Sequence, residues 1–267
     1  MQVIVLSWRR ASALTAELNT GQVMDKILFS LEHRLPLSVI SVGVTETHVL
    51  AQYTVYSEEQ FMNHPEADVA NNKHVTRGHW HRGIRFPNIA ARDAALDAVR
   101  NADIVGICIR VSEAGEFTRK VFDYYGIRPQ YLFEAYTRRV IMISQQQKFH
   151  KMLKNRKIAI VCSYADEVKA ALEHSLKDKL GFQITGTIKI NQFEDIPRVK
   201  QELSACDFDV CLLAAAINAV ILAPFIAKEL GKVALDIGQG METLITGSIE
   251  GEDWLVTQVE IAKLLEM

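Results

Sequence analysis

From about residue 100 onward, short apolar runs alternate with amphipathic segments, the pattern of β-α units laid over a mainly parallel sheet. The runs predict strands at 37–43, 103–109, 139–143, 157–162, 183–190, 208–214 and 232–236, most of them near-continuous in Val, Ile and Leu, as strands buried on both faces require. The segments between them predict helices at 23–34, 45–56, 89–101, 115–125, 145–154, 165–180, 194–204, 218–230 and 253–265. Gly126 with Pro129, Gly181 and Gly231 mark helix ends. The class is therefore α/β, Rossmann-like, with helices on both faces of the sheet. Residues 57–88 follow no period, because Asn63, His64, Pro65, Asn71, Asn72, Gly78, Gly83 and Pro87 interrupt it, and they read as an irregular, lid-like loop. With no internal repeat, the chain reads as one domain over 1–267.

Composition narrows the class of partner. The 267 residues are 49% hydrophobic and 23% charged, enough to bury a sizeable core, and the formal net charge is −2. Such a chain lacks the positive field that drives sequence-independent binding of nucleic acid. The apolar stretch Val3–Leu6 is too short for a signal peptide and precedes its charges Arg9 and Arg10, and no run reaches the length of a membrane span. Cys108, Cys162, Cys206 and Cys211 form no Cys-x-x-Cys pair, and three of them fall inside strand-like runs. They read as reduced core residues of a cytoplasmic protein.

The densest chemical signal lies where the run Leu37–Val42 ends at Gly43 and hands over to a helix, the kind of junction at which open α/β sheets place ligands. Gly43 lets a ligand approach the backbone, Thr45 is expected to cap the helix, and Glu46 sits in its first turn, suited to a sugar hydroxyl, a metal ion or the helix dipole. Within the irregular stretch, Lys73 to Arg85 forms a cationic cluster in which Arg77, His79 and Arg82 could clamp a diphosphate and Trp80 could stack on a ring; the plain alternative is a solvated loop or subunit contact. His64, His74, His79 and His81 have no supporting Cys or carboxylate pair, which argues against zinc.

Arg110 follows the strand 103–109 as a second phosphate or carboxylate contact, with pairing to Glu113 or Glu116 as the alternative. Ser163 follows the strand 157–162, where a nicotinamide-binding unit would show Gly-x-Gly-x-x-Gly; that fingerprint is missing, leaving Ser163 as a ligand contact or a helix cap. In the late segment 209–240, small residues at 214–216 admit a ligand to the backbone. Asn218 can cap the next helix or bind a ligand, and Asp236, Gly238 and Gln239 cluster just past a strand, where an Asp capping a turn is the bland reading.

These segments resemble the GT-D-type glycosyltransferases over about residues 24–245. The family's Ser-(x)2-Arg-x-Gly-Asp-Gly-Glu motif lies over Ser38 to Glu46, and a later likeness covers 213–219 and Gly231 to Gly238. Gly43 and Glu46 carry over. Ser41 stands at the motif's arginine, Val44 at the aspartate of its Asp-x-Glu metal pair, and Gln239 where a histidine is frequent. The resemblance implies a Rossmann-like enzyme that takes a nucleotide-diphosphate sugar and passes the sugar to an unidentified acceptor, with Glu46 as the residue contacting the sugar or acting as base. It also implies Mn²⁺ or Mg²⁺ near the diphosphate, held here by Glu46 weakly and only with bound nucleotide, because one carboxylate makes a poor shell. Transfer is then metal-independent or lost, and an inactive nucleotide- or sugar-binding protein of the same fold is the alternative. A homo-oligomer is compatible with this reading.

Overall fold

A computed structural model describes residues 15–73, 82–249, 256 and 261–266. Eight strands form one sheet: β1 (Ala16–Glu17), β2 (Leu37–Val42), β3 (Ile104–Ile107), β4 (Tyr131–Glu134), β5 (Lys157–Cys162), β6 (Gln183–Ile188), β7 (Val210–Ala214) and β8 (Val233–Asp236). Their order is β1-β4-β3-β2-β8-β7-β5-β6, and every neighbouring pair is parallel. The expected α/β class with a mainly parallel sheet is thus what the chain adopts.

A parallel sheet has to be covered on both faces, and the side-chain alternation of each strand supplies two apolar surfaces. Ile40 and Val42 of β2, Val161 of β5 and Leu213 of β7 join one core with the helices α2 (Val44–Ala51), α5 (Ile89–Asn101), α6 (Ser112–Tyr124), α10 (Ile196–Ala205) and α11 (Ile217–Leu230). Val39, Ile160 and Leu212 point the other way, onto α1 (Thr20–His33), α8 (Gln146–Leu153), α9 (Ala165–Leu180) and α12 (Gly240–Thr246). Helix α11 is apolar almost all round and largely buried, as a helix clamped between a sheet and other helices should be. Gly231 ends it in the left-handed region at φ 66°, which a glycine adopts at least cost.

Two expectations are corrected. Residues 139–143 are not a strand: Ala135–Arg139 form a 3-10 turn and Ile141–Ser144 a short helix, α7. The strand of this region is β4, eight residues earlier, and Val140, Ile141 and Met142 are buried while Ile143 is exposed, as on one side of a helix. The stretch 57–88 also contains two short helices, α3 (Glu58–Met62) and α4 (Pro65–Asn72), the latter started by Pro65 and by the His64 ring, which accepts the Glu66 N–H at 3.1 Å. At the chain end, α13 (Ile261–Glu266) is the described part of the helix expected at 253–265.

Candidate functional site

All eight strands point their carboxyl ends to one edge, so the residues following β2, β3, β4, β7 and β8 gather there. At its centre β2 lies between β3 and β8. Gly43 follows β2 and is the N-cap of α2, correcting the assignment of that role to Thr45. Glu46 reaches back so that its Oε2 accepts the Gly43 N–H at 2.9 Å. A Cβ at Gly43 would lie 2.9 Å from Glu46 Oε2, which would have to swing aside, and 3.8 Å from Arg138 Nη2, so the bare Cα leaves room between a carboxylate and a guanidinium.

Asp236, at the end of β8, is 1% exposed and ties three segments together. Its Oδ2 accepts from Arg138 Nη1 at 2.8 Å and from the Ser41 N–H at 3.2 Å, and its Oδ1 accepts the Gly238 N–H at 3.0 Å. Burial pushes the Asp236 carboxyl up to about 6; Glu46 adds to that rise, and Arg138 and the two backbone N–H groups oppose it. Burial also works against charge on Arg138, but Asp236 and Glu46 outweigh it and hold the guanidinium above its ordinary value. The backbone makes way for this arginine. A Cβ on Gly238 would sit 2.9 Å from Arg138 Nε, with φ already at 46°, and one on Gly240 would collide with the Arg138 carbonyl oxygen.

Arg138 is placed by the 3-10 turn after β4. Glu134, fully buried, fixes that turn by accepting the Tyr136 N–H at 3.0 Å, while its other oxygen accepts the Arg110 N–H at 2.8 Å. Burial raises the Glu134 pKa and these backbone donors pull it back. Arg110 is thus pinned through its backbone beside the edge, with its side chain exposed. Burial likewise pushes the nearby Cys108 thiol up to about 11, so it rests as an unreactive thiol.

A second group of named residues assembles beside the first. Thr45 donates to Glu66 Oε2 at 2.7 Å, and Arg82 pairs with Glu66 Oε1 at 2.8 Å. The following residue, Gly83, offers its carbonyl to Asn218 Nδ2 at 2.9 Å. Asn218 therefore does not cap α11; it holds the 82–83 segment over the end of β7. Asn218 Oδ1 and Arg82 Nε are buried with no hydrogen-bond partner among the described residues. Ala216, which starts α11, has φ 48° and ψ −132°, a conformation costly for any residue with a side chain. Such strain gathers at binding and catalytic edges.

The remaining sequence-named residues are more peripheral. Ser163 is half-buried after β5, and the α9 N-cap is its neighbour Tyr164, so the capping role is corrected. Gln239 is exposed past Gly238. Arg77 and His79 lie outside the described residues. Sequence reasoning missed Arg138 and Glu66. The first was hidden by reading 139–143 as a strand; the second follows His64-Pro65, a helix-start signal inside a stretch read as irregular.

Among the described residues no helix is long and apolar enough to cross a membrane. No curated protein and no solved structure matches the chain. The GT-D fold-like domain family, however, matches residues 18–244, which include the sheet from β2 to β8 and both residue groups at its carboxyl edge. With an all-parallel sheet that places Glu46 and Asp236 at one edge, the chain belongs to the GT-D fold-like domain family.

Proposed function

We propose that this protein binds a nucleotide-diphosphate sugar at the carboxyl edge of the sheet and transfers the sugar to an acceptor hydroxyl. The observation that carries the reading is a half-buried arginine: Arg138 stands beside the bare Cα of Gly43 and across from Glu46, in a chain of glycosyltransferase-like fold. A guanidinium there suits the oxygens of a diphosphate and would offset charge developing on it as it leaves. Arg110 and Arg82 supply further cationic contacts, Thr45, Ser163, Asn218 and Gln239 hydroxyl and amide contacts, and Gly43 and Gly238 the close approach. Glu46 is the acidic group for the sugar or acceptor, because it alone remains from the motif's carboxylate pair.

One observation favours the inactive alternative: Glu46 Oε2 already accepts the Gly43 N–H, and the residue is 4% exposed. Two measurements separate the readings. A thermal-shift screen of nucleotide diphosphates, nucleotide sugars and NAD should show stabilisation by a nucleotide sugar, about 2.7 kcal/mol at a hundredfold excess over Kd. Tight binding of NAD with no response to any nucleotide sugar would reverse the assignment. Release of nucleoside diphosphate during turnover, abolished in Glu46→Gln, marks an enzyme; binding without release marks the inactive form.

A further inference from the structure

Glu46, Arg138 and Asp236 meet where the family's early motif would build a shell for a divalent ion, and the residues present do not fit such a shell. Val44 stands at the motif's aspartate and is 41% exposed. Asp236 has both oxygens engaged, and Glu46 holds the Gly43 N–H. No three His, Cys, Asp or Glu side chains converge as metal ligands among the described residues. The motif's arginine is also displaced. At its position Ser41 is fully buried, with an Oγ that finds no partner, whereas a guanidinium arrives from the 3-10 turn after β4 and donates to the same Asp236 oxygen that takes the Ser41 N–H. A cation is thus already seated among the carboxylates, and a divalent ion brought to the same few ångströms would be repelled by it.

We propose that Arg138 is the resident cation of this edge: it balances Asp236 and Glu46 where the motif would hold a divalent ion, and its remaining N–H groups meet phosphate oxygens directly. The second half of this statement rests on the nucleotide-sugar reading; the first half stands without it. Only one of the guanidinium's contacts is committed to Asp236, 17% of the side chain is open, and the gap above Gly43 runs between Nη2 and Glu46. A planar fork in that position matches a phosphate bidentately, which a lysine cannot do.

Electron paramagnetic resonance of Mn²⁺ with the full chain tests the first half with no nucleotide present. Wild type and Val44→Asp should both leave the signal of unbound Mn²⁺ unchanged, although the second restores the motif's aspartate at an exposed position. Val44→Asp combined with Arg138→Gln should take up one Mn²⁺ per chain, its fold checked by circular dichroism. Uptake by wild type, or by Val44→Asp with Arg138 in place, overturns the proposal, as does a folded double variant that takes up none. For the second half, UDP titrated calorimetrically should bind equally with EDTA and with Mn²⁺, and about tenfold more weakly to Arg138→Lys, the size of one lost charge-assisted hydrogen bond. UDP affinity that depends on Mn²⁺ overturns the proposal. UDP that binds under neither condition overturns the nucleotide reading, and the Mn²⁺ experiment still decides the role of Arg138.

Discussion

Two arginine–carboxylate pairs stand at the same edge of the sheet with the same 2.8 Å contact, and they do different work. Arg138 and Asp236 are 17% and 2% exposed; Arg82 and Glu66 are 26% and 13% exposed. Asp236 also gathers two backbone N–H groups, from Ser41 and Gly238, so its pair joins β2, β8 and the turn after β4. Glu66 receives a hydroxyl from Thr45 and fastens a surface helix and the 82–83 segment to α2. The deeper pair braces the framework through Asp236, whose two oxygens are both engaged, while Arg138 commits only one N–H group to it. The shallower one sits beside unmet polar atoms, Asn218 Oδ1 and Arg82 Nε, that a ligand's groups would satisfy. Distance alone says nothing of this; the company each carboxylate keeps decides it.

The comparison breaks most sharply at Arg138. Arg138→Ala leaves Asp236 buried without its counter-ion, and unfolding by urea should show a loss of about 3–5 kcal/mol. If the loss is no larger than for Arg82→Ala, burial is not what separates the two pairs.

A slightly smaller effect should appear in the pH profile. The folded pKa of Asp236, about 6, lies above its unfolded value. The folded chain therefore binds the proton more tightly, and this group's contribution is full below the unfolded value and lost as pH rises through about 6. The loss amounts to about 3 kcal/mol over that window. His48 acts with the opposite sign: burial lowers its pKa to about 3, so it destabilises the fold as pH falls below its unfolded value. The quantity to measure is consequently the difference between wild type and Asp236→Asn, which should shrink with falling pH. A difference that is flat between pH 4 and about 6 would show that Arg138 outweighs burial at this carboxyl.

Much of this architecture can be read from residue order, and the exceptions have physical causes. β2, β5 and β7 are recognisable because both of their faces are covered, which leaves uninterrupted Val, Ile and Leu runs. Tyr131–Glu134 escapes notice because it is four residues long and lies near the sheet's edge, with Tyr131 and Leu132 only half-buried. Val140 to Ile143 is as apolar as a strand and too short for its period to declare itself. Glu46 and Asp236 stand out because one lies in the first helical turn after a strand and the other ends a strand. Arg138 does not, since its partner is 98 residues away and nothing local marks the pairing.

Arg82→Ala should cost about 1 kcal/mol, because Glu66 keeps the Thr45 hydroxyl and remains partly hydrated. Its larger effect is expected on ligand affinity, measured by the same titrations, and equal affinity in the variant would assign the shallow pair to the framework as well. The smallest change is Ala216→Gly. Removing the Cβ relieves the positive φ at the start of α11 and should stabilise the fold by about 0.5–1 kcal/mol in thermal unfolding. A loss instead would mean that the Ala216 methyl packs more favourably than its backbone is strained.

The pairing of β2 with β8 has a consequence for how the chain comes into being. The central strand, all six residues buried, receives its second neighbour only when Val233 to Leu235 exist, and the Ser41–Asp236 bond spans 195 residues. At ribosomal speeds of about 5–20 residues per second, some 10–40 s separate the emergence of the two strands. During that interval the nascent chain carries an apolar strand with one unpaired side, the kind of edge that recruits other strands. Newly made protein is therefore most vulnerable to aggregation before synthesis reaches β8, and truncations that stop short of it should be recovered as insoluble material.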